Sequence, residues 1–401
     1  MFKAVTNKRS NHIFVANYPN AIAGEVTLLS TPERTRALPE YTGRGVVMAF
    51  IDAGYYDHPD IHGRIIHYAD ATYERIVEGG SLRKPSGLSW HGQMTSVIAA
   101  GNGKLSNGQY RGIACEAQLL LIKVSNERYQ IKEADILRGL RWLMGNLHRW
   151  NIRICNLSVG GDFVSNDPEH PIHRAIRELT LAGVTVVVAS GNQGINQIVP
   201  PASSAEAISV GGLNDNNSLD RNTWSLYKSN YGQAYDGTSK PDIIAPAIWI
   251  PSPILPKTEV DREARWLGPL LLTSSKRRVK RILLRRRTEF IVARYQLSHP
   301  NQDVHKVIQD KIHAHKLINA HYQYVDGTSV ATPIVSSVIA QMVEANPNLQ
   351  PPQIKEILKT TAIQLPNIDK RKQGAGVINA PEAVKRALTY TSTITIKNDT
   401  G

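Results

Sequence analysis

The chain has 401 residues, of which 41% are hydrophobic and 20% charged. That is enough apolar material for a sizeable core with an ordinary surface, which excludes disorder along the whole length. The formal net charge of +13 points to anionic partners, but residues 254–321 hold 15 Lys/Arg against 6 Asp/Glu, so the charge argument belongs to one segment.

Residues 1–43 are mixed and polar, with Pro19, Pro32 and Pro39, and read as an N-terminal extension without a core of its own. No apolar stretch there has signal-peptide length, and none elsewhere is long enough to span a bilayer. The expected location is the cytoplasm, or outside the cell if the N-terminus is truncated. Cys115 and Cys155 are too few for a disulfide framework and are expected to be inert core thiols.

The run Val46-Val47-Met48-Ala49-Phe50-Ile51 has strand length and ends in the turn signal Asp52-Ala53-Gly54. A continuous rather than alternating apolar run suits a parallel strand covered on both faces. Strands follow at 119–124, 152–157, 184–189 and 207–211, separated by helical spacing at 134–150 and 169–182. Strand alternating with helix predicts an α/β fold, a parallel β-sheet flanked by helices on both faces. Such sheets bind ligands beyond the carboxyl ends of their strands.

Residues 254–321 break this rhythm and predict an inserted helical basic subdomain. In it, Val279, Ile282, Leu283 and Phe290 share one helix face, and Val304, Val307, Ile308 and Ile312 share another. Residues 330–345, 351–361 and 380–389 read as closing helices of a domain spanning 44–389. Residues 390–401 form a C-terminal tail in which 390–397 alternate as a strand would.

Three polar residues fall where such a sheet places a site. Asp52 ends the first strand, His91 opens the helical run 93–100, and Ser329 opens the helix 330–345. Each has an ordinary structural role available, as turn carboxylate, helix-start histidine and helix N-cap. Together they suggest more. A helix start offers Ser329 unpaired N–H groups for a developing oxyanion, and Asp52 supplies the acid that holds a histidine tautomer. Asn192, in Ser190-Gly191-Asn192-Gln193-Gly194 after a strand, adds a side-chain amide donor.

These motifs, with Phe50-Ile51-Asp52-Ala53-Gly54, His91-Gly92 and Gly327-Thr328-Ser329-Val330-Ala331-Thr332-Pro333 in this order, resemble the subtilisin-like serine proteases, the subtilases (peptidase family S8). Leu157-Ser158-Val159-Gly160-Gly161 and Lys240-Pro241-Asp242-Ile243-Ile244-Ala245-Pro246 are similar to that family's S1 wall and the segment leading toward its serine. The resemblance covers residues 43–253 and 322–389. It implies a serine endopeptidase with Asp52, His91 and Ser329 as triad and Asn192 in the oxyanion hole. It also implies extended polypeptide substrates pairing with Tyr129-Gln130-Ile131 on one side and Ser158-Val159-Gly160 on the other. With Gly161 small and Gln193 uncharged at the rim, the S1 pocket is expected to prefer apolar side chains.

Ala53 replaces the family's usual hydroxyl and removes one expected hydrogen bond to Asp52, and Gln93-Met94 replaces the usual Thr-His. No cofactor is expected to be required, with calcium left open but unsupported by clear ligands. Asn102 and Asn107 resemble part of a calcium loop but lack carboxylates nearby. His58, His62 and His67 fit no metal-ligand spacing and are expected at the surface. The basic run from Lys276 to Arg287 is a candidate surface for an anionic partner: acidic protein, nucleic acid or membrane. Two alternatives stand beside a general protease: a self-processing regulatory protease, and a silent scaffold that binds through this run.

Overall fold

A computed structural model describes residues 14–86, 88–286 and 302–390. Its strands, in chain order, are β1 (Val47–Asp52), β2 (Ile65–Asp70), β3 (Val77–Glu78), β4 (Gln118–Lys123), β5 (Ile152–Leu157), β6 (Thr185–Ala189), β7 (Ile208–Asn214), β8 (Ser225–Leu226), β9 (Gly232–Gln233), β10 (Ser239–Lys240), β11 (Ile243–Pro246), β12 (Ile250–Pro253) and β13 (Tyr322–Val325). The main sheet runs β11-β7-β6-β5-β1-β4-β2-β3, with β8 paired to β7. Its long strands are parallel; only β3 and β8 pair antiparallel.

Both faces of this sheet are covered. Met48 and Phe50 of β1 turn into a core built with the helices Ser89–Ala100, Thr328–Ala345, Pro351–Thr361 and Ala380–Thr389. Val47, Ala49 and Ile51 turn the other way, against Glu133–Gly145 and Pro171–Leu181. A strand buried on alternate sides has no solvent-facing register, which is why its sequence is apolar throughout. The helices at His91 and Ser329 begin earlier than the apolar spacing predicted, at Ser89 and Thr328, so both residues lie inside the first turn.

The helical insertion hangs from a two-stranded ribbon. β12 enters it and β13 leaves it, with Pro253 opposite Tyr322. Helices Glu259–Leu271, Lys276–Arg285 and Gln302–Ala314 follow. The first was not expected, because Gly268 and Pro269 conceal it. Thr258 caps it by accepting the Asp261 N–H, and Glu259 and Asp261 favour its positive end. Val279, Leu283, Val304, Ile308 and Ile312 bury as expected, but Val307 is 45% exposed. The true face repeats every fourth residue, and Val307 falls off it. Phe290 and, apart from Tyr390, the strand expected over 390–397 lie outside the described residues. The basic side chains of Lys276–Arg285 face solvent.

Residues 14–43 lean on the rest of the chain. Phe14 is 1% exposed and sits inside the insertion's core, a burial contributing about 2 kcal/mol. Arg34 is buried against Asp215 at 2.6 Å and donates to the carbonyls of Ile248 and Trp249, just before β12 and beside it.

Candidate active site

Asp52 ends β1 fully buried. Its Oδ1 accepts the Ala53 N–H at 2.6 Å and His91 Nδ1–H at 2.5 Å, while Oδ2 accepts the Thr95 hydroxyl at 2.9 Å. Thr95 stands one helical turn after His91, so one helix face supplies two of these donors. The hydroxyl missing at Ala53 is thus replaced from a different element. The helix lies so close to the turn after β1 that a Cβ on Gly92 would stand 2.1 Å from the Gly54 carbonyl oxygen. Burial disfavours a charged His91, but the adjoining Asp52 carboxylate more than offsets this and holds its pKa above the ordinary histidine value.

Ser329 is the second residue of its helix. Its Oγ donates to the Ser158 carbonyl at 3.3 Å, and Ser158 Oγ donates back to the Ser329 carbonyl at 3.1 Å. Asn156 extends the lattice, donating to Ser158 Oγ and accepting from Ser336 Oγ. Asn192 Oδ1 accepts both the N–H and the hydroxyl of Thr328, at 2.8 and 3.0 Å. With that oxygen occupied, the Asn192 amide meets a ligand as a donor, through Nδ2. The Ser329 N–H lies in the first helical turn, where backbone donors lack intrahelical acceptors.

The subtilase family model matches residues 43–376. The chain belongs to the subtilase family. It is 32% identical over 356 residues to the serine protease AprX of Bacillus subtilis (strain 168), covering 86% of this chain and 67% of that one. It is 27% identical to M-protease of Shouchella clausii (strain KSM-K16), covering 86% of this chain and 65% of the relative. The match therefore spans about two thirds of each relative. Among solved structures, a protease from Pseudoalteromonas arctica PAMC 21717 superposes with a TM-score of 0.59 at 21% identity, covering 91% of this chain and 95% of that one. The prenylagaramide maturation protease PagA gives 0.57 at 19% identity, covering 90% and 98%. These likenesses extend over the fold described above. The protein is a serine-type endopeptidase of the subtilisin-like α/β class.

In this subtilase, the expected substrate segments leave the sheet from β4 and β5, on either side of β1 and its terminal Asp52. Residues 125–131 form a small hairpin, bridged from Ser125 to Ile131 and closed by Asn126 bonding Gln130, with Tyr129 62% exposed at its tip. Gly160 and Gln193 are exposed, and the Gln193 N–H is held by Asn230 Oδ1. Val159 departs from expectation: its side chain is buried in the core, so it offers backbone rather than an apolar wall.

Glu133 was missed altogether. Its Oε1 occupies the space beside Gly161, 2.1 Å from where a Cβ would stand, and is buried without a hydrogen-bond partner. An acid therefore stands beside a segment expected to carry none. Its position at the start of a helix gave no hint, since acids commonly favour that place.

The histidine expectations need correction too. His58 is fully buried, its Nδ1 accepting the Asp60 N–H, and burial lowers its pKa to about 4. His67 packs against Trp142 and Trp150, and of the three only His62 is exposed. Asn102 and Asn107 serve turns: the first accepts the Lys104 N–H, and the second takes φ +51. Cys155 is buried and Cys115 partly so, and burial pushes both thiols up in pKa. Among the described residues, no group of three or more His, Cys, Asp or Glu is placed to hold a metal ion. No helix among them is long and apolar enough to cross a membrane.

Proposed function

We propose that this subtilase cleaves polypeptides by attack of Ser329 Oγ on the scissile carbonyl. His91 takes the serine proton through Nε2 and returns it to the leaving amine. Asp52 holds the imidazole with Nδ1 protonated, and Asn192 Nδ2 with the Ser329 N–H receives the tetrahedral oxyanion. The observation that carries this reading is the Asp52 carboxylate, fully buried and hydrogen-bonded by Ala53, His91 and Thr95. In this mechanism Ser329 Oγ leaves the Ser158 carbonyl, to which it donates at 3.3 Å, and gives its proton to His91 Nε2. No step is assigned to a cofactor. The complete set of groups argues against a silent scaffold. A fluorophosphonate probe decides it: the wild-type chain should be labelled and Ser329→Ala should not.

Asn192→Leu keeps the side chain's size and removes the Nδ2 donor, together with the Oδ1 acceptor for Thr328. It should lower kcat by roughly two to three orders of magnitude with little change in KM, the scale known for the oxyanion asparagine of this family. Steady-state kinetics on a peptide amide separates the two parameters. A change confined to KM would make Asn192 a substrate-positioning residue instead.

The exposed cationic face of Lys276–Arg285 is the natural approach for acidic polypeptide segments. Cleavage of an acidic protein should then outpace that of a neutral one at low ionic strength. The advantage should fade as salt brings the Debye length below about 10 Å. Salt-independent rates for both would leave this face as a solvated surface only.

A further inference from the structure

A cavity of about 340 Å³ is lined by Trp90, the residue that precedes His91 and packs against its ring. Its lining joins Trp90 and Met94, on the His91 helix, to Ser252 of β12 and to Ile254, Leu255 and Val260 of the insertion. The Trp90 indole stands edge-on to the His91 ring, 5.2 Å between centroids, and remains 44% exposed. Gln93 pins the two walls together by donating to the Pro253 carbonyl at 3.3 Å. Ser252 is 1% exposed, and its hydroxyl is buried without a hydrogen-bond partner. Residues 129–131 and 158–161, expected from the family resemblance to hold extended substrate and its S1 side chain, take no part in this lining.

We propose that this cavity is a leaving-group subsite, which receives a large apolar side chain from one of the first two residues after the scissile bond. The inference rests on the triad proposed above. In that mechanism His91 hands its proton to the departing amine, so the residues carrying that amine pass the His91 ring. The surface they meet there is Trp90 and Met94, continued by Ile254, Leu255 and Val260. Trp90 supplies rigid apolar area at the mouth, and the aliphatic side chains supply the walls. A buried hydroxyl without a partner is costly, and a main-chain N–H of the bound peptide would satisfy Ser252. Much of the lining belongs to the inserted subdomain, so the insertion is a specificity element for the part of the substrate that leaves first.

The test uses the full chain and internally quenched peptides with one fixed acyl half. The two positions after the scissile bond are varied through Gly, Leu and Phe. The quantity read is the ratio of kcat/KM for Leu or Phe to that for Gly, within each preparation, so partial loss of folded enzyme cancels. Wild type should prefer the apolar residue by about ten-fold or more. Val260→Trp fills the cavity and should bring the ratio to about one. Val260→Ala enlarges it and should move the preference from Leu toward Phe. Identical ratios in all three proteins, with hydrolysis that depends on Ser329, would overturn the subsite and leave the triad standing. A wild-type chain without hydrolysis dependent on Ser329 would overturn the triad and the subsite together.

Discussion

Replacing Ser329 with alanine should lower kcat by about a million-fold, the scale known for the triad of this family. It corresponds to about 8 kcal/mol of transition-state stabilisation. His91→Ala should cost about the same, and the double replacement little more, because nucleophile and base act in one step. The residual rate should still exceed that of water, since Asn192 and the Ser329 N–H remain to polarise the carbonyl. Folding should be untouched. Among the described residues, Ser329 Oγ bonds to the Ser158 carbonyl alone, while the return bond from Ser158 Oγ to the Ser329 carbonyl survives the change. Alanine also suits the first helical turn as well as serine does, so the stability change should stay within about 0.5 kcal/mol. Hydrolysis and thermal unfolding measured on the same preparation check both statements. Turnover near the wild-type rate in Ser329→Ala would remove this residue from the chemistry.

What the sequence made legible depended on how local each signal is. β1, β4, β5 and β6 could be read because helices cover both faces, which forces an unbroken apolar run. Asp52, His91, Asn192 and Ser329 could be proposed because each ends a strand or opens a helix within a short motif. Thr95 could not be singled out, because a threonine inside a helix carries no mark of what it faces. Its spacing of four from His91 was the available signal, and it acquires meaning only once Asp52 is known to lie opposite. Glu133 was hidden for a similar reason: its partner Gly161 is distant in the chain, and contact between them depends on how a helix start meets the segment after β5. The helix Glu259–Leu271 was masked by its own Gly268-Pro269, although its Thr258 cap and acidic first turn were readable. His58 shows the limit of composition arguments, since a histidine amid polar neighbours was expected outside and is packed inside.

Asp52→Asn should lower kcat by about ten thousand-fold while leaving the site's shape intact, again on the scale known for such triads. The carboxylate accepts three hydrogen bonds, from Ala53 N–H, His91 Nδ1–H and the Thr95 hydroxyl. An amide has one accepting oxygen. If its NH₂ faces His91, the imidazole must present a bare Nδ1 and carry its proton on Nε2, where it cannot accept the Ser329 proton. The pH dependence gives a second and independent readout. In the wild type, burial disfavours the imidazolium but the Asp52 charge prevails, so the His91 pKa is raised. The base must be neutral, so the acid limb of kcat/KM should lie above the ordinary histidine value of about 6.5. In the asparagine variant only burial remains, and the limb should move below that value. Stability should follow the same sign. A raised histidine pKa stabilises the fold fully below the unfolded value, and the contribution is lost as pH climbs through the folded one. The variant's deficit in Tm should therefore be larger near about pH 5 than near about pH 9. Paired pH–rate profiles and melting curves read both effects, and a limb that stays in place or moves upward would show that Asp52 does not set the His91 charge.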